Sequence, residues 1–240
     1  TVPWAKVYSH AFQGPGGWYI ENSLTTIGDK DPVGEVNRRL WNSGEDADKD
    51  TARKQKRKLS YYSNIYVVKD PKHPENEGKV FLYKYGKKIH DKILAAMQPE
   101  FQDETPVNVF DLWEGANFKL KIKKVAGFWN YDSSEFDSIS ALSADDTELE
   151  ATWKSEHSLE AFTAADQFKS YEDLEKRLNL VLGSAPRPTA PSVDSEEYEP
   201  VAAPQSDFRA KMSAPTPVKQ EAVVEDDDAL SYFASLASDD

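Results

Sequence analysis

The distribution of proline limits where this chain can fold. Seven of its 14 prolines lie within residues 184–240, a stretch that is also rich in Ala, Ser, Asp and Glu. Residues 185–204 show no hydrophobic periodicity, so they bury too little apolar surface to offset the entropy lost on ordering. We therefore predict a folded core over residues 1–183, followed by a disordered, Pro-rich linker and tail over residues 184–240.

The predicted tail ends in an apolar patch flanked by acidic residues. Its acidic cluster is Asp226, Asp227 and Asp228. After this cluster, Leu230, Phe233 and Leu236 share one face at helical spacing. Two interpretations are open: a solubilising segment, or a docking peptide that folds on a partner protein. On the second interpretation these six residues are the candidate partner-binding residues.

Within the core, short strands alternate with turns and helices. The GPGG sequence at residues 14–17 predicts a hairpin turn. Strands are predicted over residues 4–12, 18–21, 63–68, 79–85 and 117–125. Helices are predicted over residues 87–97 and 169–182, the second with a capping box at Ser170 and Asp173 and a stop at Gly183. The pattern indicates a mainly β protein with helical excursions, of the α+β class, built around a small barrel.

Cysteine content and charge exclude several classes of protein. The chain has no cysteine, which excludes a disulfide framework and a cysteine-ligated zinc site. No apolar run approaches the roughly 20 residues of a membrane helix. The net charge of −13 hides a basic middle, since residues 53–92 carry +8, residues 132–176 carry −10 and residues 184–240 carry −8. Such asymmetry favours a nucleic-acid-binding protein with an acidic tail, the alternative being an ordinary solvated surface.

Three segments combine positive charge with aromatic rings, at residues 53–62, 79–88 and 118–131. Single-stranded nucleic acid needs both, because its phosphates attract cations and its unstacked bases stack on flat rings. In the third segment, alternation predicts that Phe118, Leu120 and Ile122 face inward and that Lys119, Lys121 and Lys123 form an outward stripe. The candidate residues for binding single-stranded DNA are Lys54, Lys56, Arg57, Lys58, Tyr61, Tyr62, Tyr83, Lys84, Tyr85, Lys87, Lys121, Lys123, Phe128, Trp129 and Tyr131.

Enzymatic interpretations find little support in the sequence. The four histidines are scattered without metal-ligand spacing, and neither a phosphate-binding P-loop nor a nucleophile elbow is present. Asp29 and Asp31 are better explained as turn residues than as ligands of a divalent cation. We predict that the chain is not an enzyme and uses no cofactor.

The same segments resemble the helix-destabilising, single-stranded DNA-binding proteins of T-even-type bacteriophages. The resemblance is carried by KRKLSYYSNI at residues 56–65, PENEGKVF at 74–81, YKYGKKIHDK at 83–92, WEGANF at 113–118, GFWNYD at 127–132 and FKSYEDL at 168–174. It implies an OB-fold core whose cleft binds single-stranded DNA. It also places the family's basic element on residues 56–60 and its base-contacting rings on Tyr61, Tyr83, Phe128 and Tyr131.

The resemblance fails at the family's zinc site, which uses one His and three Cys. His10 matches the His, whereas the Cys positions fall on Ser23, on a gap before Pro32 and on Gly34. One imidazole cannot complete a tetrahedral site. We therefore predict a degenerate, metal-free subdomain over residues 10–40, held by packing of Trp18, Ile20, Ile27 and Val33.

These observations predict a protein that binds single-stranded DNA without sequence preference. It would protect and melt DNA during phage replication, recombination and repair, in the cytoplasm of an infected bacterial host. Its expected partners are single-stranded DNA, phage replication and recombination proteins recruited by the tail, and further copies of itself along the DNA. The chain begins at Thr1, which predicts a truncated or processed N-terminus. The alternative function is an RNA-binding OB-fold regulator with an acidic, partner-recruiting tail.

Overall fold

The structure, a computed structural model, describes residues 3–184. Its strands are β1 (Ala5–Gly14), β2 (Gly17–Asn22), β3 (Lys58–Tyr66), β4 (Val80–Tyr85), β5 (Ala116–Lys119), β6 (Lys123–Val125), β7 (Phe128–Asn130) and β8 (Glu135–Ile139). Its α-helices are α1 (Pro32–Asn42), α2 (Asp46–Gln55), α3 (Lys87–Met97), α4 (Asp146–Lys154) and α5 (Tyr171–Leu182). The predicted α+β class is confirmed.

The largest sheet is antiparallel and has four strands in the order β2-β1-β3-β4. The predicted turn at residues 14–17 joins β1 to β2, so the hairpin is confirmed. Because side chains alternate along a strand, the register gives the sheet two faces. The front face carries Lys6, Tyr8, His10, Phe12, Tyr19, Leu59, Tyr61, Tyr83 and Tyr85. The back face carries Val7, Ala11, Trp18, Ile20, Lys58, Tyr62, Asn64, Leu82 and Lys84.

One hydrophobic core forms where α1 and α5 cover the front face of β1 and β2. Its buried members are Phe12, Tyr19, Leu24, Val33, Leu174, Leu178 and Val181. Val33 and Ile27 pack there as predicted, but the prediction for Trp18 and Ile20 is wrong, since both are exposed. They lie on the back face, and the residue between them, Tyr19, reaches the core instead.

Helix α5 docks on the hairpin turn. The Ser170 hydroxyl accepts a hydrogen bond from Asp173 N at 3.2 Å, and Gly183 ends the helix at φ +73°, as the capping pattern predicted. The Gly16 N–H donates to the Val181 carbonyl at 2.8 Å. The approach is so close that a Cβ on Gly16 would lie 1.9 Å from the Leu180 carbonyl oxygen, so only glycine fits there.

A second core forms under α3 on the front face of β3 and β4. Its buried members are Tyr61, Tyr85, Ile89 and Ile93, and Phe118, Tyr131 and Phe136 pack against it from the segment of β5–β8. The predicted helix over residues 87–97 is confirmed with the same bounds.

The predicted strand over residues 117–125 is divided into two. β5 ends at Lys119 and pairs with β8, whereas β6 pairs only with β7. Between them the Ser134 hydroxyl accepts from Lys121 N at 2.9 Å and donates to the Lys121 carbonyl at 3.1 Å, replacing a backbone partner. Leu120 and Ile122 are exposed, so the predicted inward stripe is wrong beyond Phe118.

Candidate nucleic-acid interface

A group of basic and aromatic side chains lies on the front face where β1 meets the start of β3. This front-face group consists of Lys6, Tyr8 and Arg57. The Arg57 guanidinium lies 4.0 Å from the centroid of the Tyr8 ring, and Lys6 Nζ lies 5.1 Å from the same centroid. The sequence predicted Arg57 but missed Lys6 and Tyr8. The signal was the alternation of side chains along β1, which puts Lys6 and Tyr8 on the same face of the sheet as Tyr61.

Two of the aromatic residues predicted to bind DNA, Tyr61 and Tyr85, are buried. Tyr61 stacks on His90 with ring centroids 3.8 Å apart, and Tyr85 stacks on Tyr61 at 5.7 Å. The Tyr85 hydroxyl also hydrogen-bonds the Ser63 hydroxyl at 2.8 Å. Burial raises the pKa of Tyr85, and this hydrogen bond partly opposes the rise. Both rings therefore support the sheet, and direct stacking of bases on them stays a prediction.

Tyr83 and Tyr131 are half-buried at the edge of the same core. Tyr83 stacks against Tyr85 with ring centroids 5.5 Å apart. Its pKa is raised by burial and by the neighbouring Tyr131 and Tyr85. The structure thus brings together two rings that are 48 positions apart in sequence, and leaves part of each accessible.

Tyr62, Lys84 and Lys58 lie on the back face of the sheet, away from these rings. Tyr62 stacks on Phe162 at 4.3 Å, and Lys84 Nζ lies 5.6 Å from the Tyr62 centroid. The segment that carries Phe162 is also tied to β3, because the Asn64 side chain donates to the His157 carbonyl at 3.0 Å. One face of the Tyr62 ring is thus covered by the Phe162 ring of the protein itself.

Three further predicted cations lie in or directly after α2 and in α3. Lys54 is exposed in the last turn of α2, and Lys56 follows that helix directly. Lys87 lies in the first turn of α3, with its Nζ 4.0 Å from Asp91 Oδ2. Lys56 therefore precedes Arg57 and β3, and Lys87 follows the end of β4 after Gly86.

The β6–β7 hairpin presents an aromatic ring on each of its faces. Its turn residues, Ala126 and Gly127, have φ of +50° and +88°, the sign required by a two-residue type I′ turn. Val125 pairs with Phe128 and Lys124 with Trp129, so the two rings point to opposite sides. Phe128 is 39% exposed and Trp129 is 64% exposed. Lys124 Nζ lies 4.9 Å from the Trp129 centroid. Exposed flat rings beside lysines are the groups that single strands bind.

A family model described as gp32 DNA binding protein like matches residues 1–182. The single-stranded DNA-binding protein of Enterobacteria phage T2 is 42% identical over 204 residues, which are 84% of this chain and 68% of the relative. The protein of the same name from Enterobacteria phage T4 is 41% identical over 204 residues, with the same shares.

The chain belongs to the gp32-like DNA-binding family.

This membership agrees with the predicted resemblance and with the prediction that the chain is not an enzyme, since both relatives are named as DNA-binding proteins. No helix of residues 3–184 is long and apolar enough to cross a membrane.

The region that matches the family's zinc site does not fit a metal. Asp31, not a thiolate, lies opposite His10, with Oδ1 3.2 Å from His10 Nε2. Its oxygens already accept the N–H groups of Leu24 at 3.1 Å, Val33 at 3.0 Å and Gly34 at 3.2 Å. The other ring nitrogen of His10 donates to the Gln55 carbonyl at 2.9 Å. Within residues 3–184, no group of three or more His, Cys, Asp or Glu side chains could hold a metal ion.

Asp31 therefore organises this region of the gp32-like chain. It caps α1 and ties that helix to β1 and to the turn at Leu24. Burial alone would raise the pKa of Asp31, but the close His10 ring and the hydrogen bonds from Gly34 and Ser23 hold it below its usual range. The sequence analysis interpreted Asp31 as a turn residue, whereas the structure shows it as the N-cap of α1, in contact with His10.

The candidate partner-binding residues of the tail, Asp226, Asp227, Asp228, Leu230, Phe233 and Leu236, lie outside the described residues. Their role stays a prediction.

Proposed function

We infer that this gp32-like chain binds single-stranded DNA without sequence preference. The observation that carries the inference is the β6–β7 hairpin, where Phe128 and Trp129 are exposed on opposite faces beside Lys123 and Lys124. The two relatives named as single-stranded DNA-binding proteins support the same conclusion. Every base has a flat face and every nucleotide a phosphate, so such a surface binds any sequence.

We propose that the binding surface runs from the front-face group at Arg57 and Tyr8, past Tyr83 and Tyr131, to the β6–β7 hairpin. Tyr131 links the two ends, because it packs against the same core as Tyr83 and directly follows β7. Phosphates would be held by Lys6, Arg57, Lys123 and Lys124, and bases by the exposed rings. Because the protein would bind unpaired strands in preference to duplex, mass action would shift DNA toward the melted form.

The proposal also covers the type of fold, the binding partners and the biological role. We propose that the four-stranded sheet and the β5–β8 pair form an OB-type half-barrel, with residues 1–183 as the binding core. Residues 184–240 would recruit replication and recombination proteins, and copies of the chain would associate along DNA. Protection and melting of phage DNA during replication, recombination and repair in an infected host is the role that this activity serves.

The test is a salt-titrated binding measurement. Fluorescence anisotropy would compare a labelled oligo-dT, a duplex of the same length and an oligo-U at pH 7, between 0.05 and about 1 M NaCl. We expect the tightest binding to oligo-dT and a steep loss of affinity with salt, since phosphate contacts release counterions. Equal affinity for the duplex, or a flat salt response, would contradict the proposal. Tighter binding to oligo-U would support an RNA-binding protein instead.

A further inference from the structure

Two lysines of the predicted outward stripe are paired with carboxylates of the neighbouring strand. Lys119 Nζ lies 2.7 Å from Asp137 Oδ2, and Lys121 Nζ lies 2.5 Å from Glu135 Oε1. The antiparallel pairing of β5 with β8 places these charges side by side. All four side chains are exposed to solvent.

Asp132 holds two lysines of α3, Lys88 through its carboxylate and Lys92 through its backbone carbonyl. Asp132 Oδ1 lies 3.2 Å from Lys88 Nζ, and its backbone carbonyl accepts from Lys92 Nζ at 2.9 Å. The Asn130 side chain fixes this carboxylate by donating to Oδ2 at 2.7 Å. Asp132 thus lies one residue after Tyr131, at the centre of the proposed binding surface.

The lysines of β6 differ from Lys119 and Lys121. Lys123 and Lys124 take part in none of the ion pairs formed within residues 3–184, and Lys124 packs over the Trp129 ring. The positive charge of the third basic segment is therefore unequal along its length. Carboxylates compensate it at Lys119 and Lys121, whereas no carboxylate of residues 3–184 pairs with the lysines of the hairpin that carries the exposed rings.

A lysine that is already neutralised by a protein carboxylate contributes little to DNA binding. A phosphate must first displace the carboxylate, and the resulting unpaired acid beside the DNA opposes the counterion release that drives binding. Resting on the proposed function, we propose that Glu135 and Asp137 mask Lys121 and Lys119, so that these carboxylates set the affinity and salt dependence of single-stranded DNA binding. Phosphates are then held by the β6 lysines and by the group at Arg57, and Lys119 and Lys121 act only when unmasked.

The expected effect follows from the number of lysines released. Each extra phosphate contact on a single strand steepens the slope of log K against log salt by about 0.7. When one lysine is unmasked, the ratio of the affinity at 0.1 M salt to the affinity at 1 M salt should therefore rise about five-fold. The fold should be little affected, because exposed ion pairs contribute about 0–1 kcal/mol to stability.

The experiment measures anisotropy of labelled oligo-dT against NaCl concentration for full-length variants. Glu135→Gln should steepen the slope by about 0.7, and Glu135→Gln with Asp137→Asn by about twice that. The matched control is Glu150→Gln, which removes the same charge from an exposed ion pair on α4, where Glu150 Oε1 lies 2.6 Å from Lys154 Nζ. Thermal unfolding would check that each variant is folded, and the single variant serves if the double one is unstable.

A charge-neutral pair of substitutions gives the sharpest test. If Glu135 masks Lys121, then Lys121→Gln combined with Glu135→Gln should bind with the slope of the unmodified chain. A clearly shallower slope would mean that Lys121 already contacts phosphate, and would overturn the proposal. A gain in Glu135→Gln no larger than in Glu150→Gln would also overturn it. Failure of the unmodified chain to bind oligo-dT would instead refute the proposed function.

Discussion

Replacing Asp31 by alanine should destabilise this protein more than replacing any ordinary helix cap. The Asp31 side chain is 1% exposed and accepts three backbone N–H groups. Asp31→Ala leaves the buried N–H groups of Leu24 and Val33 without their acceptor and removes the carboxylate opposite His10. Each unsatisfied buried donor costs about 1–3 kcal/mol, and the His10 ring also loses its buried contact with the carboxylate. Since these costs overlap, we expect a total loss of about 3–5 kcal/mol.

Asp145 provides the matched control, because it is also an aspartate at a helix N-cap. It caps α4 by accepting one hydrogen bond, from Thr147 N at 2.8 Å, and it is exposed. Loss of such a cap costs about 1 kcal/mol. Asp31→Asn should be intermediate, because it keeps one carbonyl oxygen for α1 but loses the charge.

The measurement is equilibrium unfolding in urea, followed by tryptophan fluorescence, with the free energy extrapolated to water for each variant. A loss of about 3–5 kcal/mol also lowers the melting temperature on the order of 10 °C for a chain of this size. Equal losses for Asp31→Ala and Asp145→Ala would refute the argument that Asp31 replaces a metal as the organising centre.

Three further predictions concern metal, base stacking and pH. Chelation with EDTA should leave the melting temperature unchanged, because the His10 region does not fit a metal; a clear drop would reveal a site. Phe128→Ala and Trp129→Ala should each weaken oligo-dT binding by about 1–3 kcal/mol while Trp153→Ala, an equally exposed ring on α4, should not. Similar losses for all three would place the surface elsewhere. Burial lowers the pKa of His90, so the unfolded chain binds more protons below pH about 6.5 and stability should fall as pH drops from 7 to 5. His90→Phe, measured in the same urea assay, should flatten that fall, and an unchanged pH profile would contradict it.

Local signals predicted some elements closely. Three features depend on residues that are close together in sequence and could be predicted from the local pattern: the turn at residues 14–17, the bounds of α3 and the caps of α5. The start of α1 also had a signal, since Asp31 followed by Pro32 is a typical N-cap and first helical position. Asp31 was instead interpreted, with Asp29, as a turn residue, and the helix was missed. α2 was missed because its sequence is almost entirely polar and it buries only Ala52 and Gln55.

The candidate site was harder to predict, because it depends on which face each strand presents. Tyr61 and Tyr62 were assigned together, yet neighbours on a strand point to opposite faces, and the structure puts Tyr61 under α3 and Tyr62 against Phe162. The lysine stripe was broken by the Ser134 side chain, a tertiary contact with no local signal. The match of Glu135 and Asp137 to the lysines likewise needs the β5–β8 register.

The docking of α5 on the hairpin turn has a consequence for how the chain folds during synthesis. Arg177 donates to the Trp18 carbonyl across a separation of 159 residues, which gives this part of the molecule a high contact order. The first hairpin leaves the ribosome early, but Phe12 and Tyr19 lack the partner helix that buries them until α5 has been translated. At about 5–20 residues per second, that delay is roughly ten to thirty seconds. Nascent chains should therefore expose these rings to chaperones throughout elongation, and fragments that stop before residue 171 should fail to fold around the first hairpin.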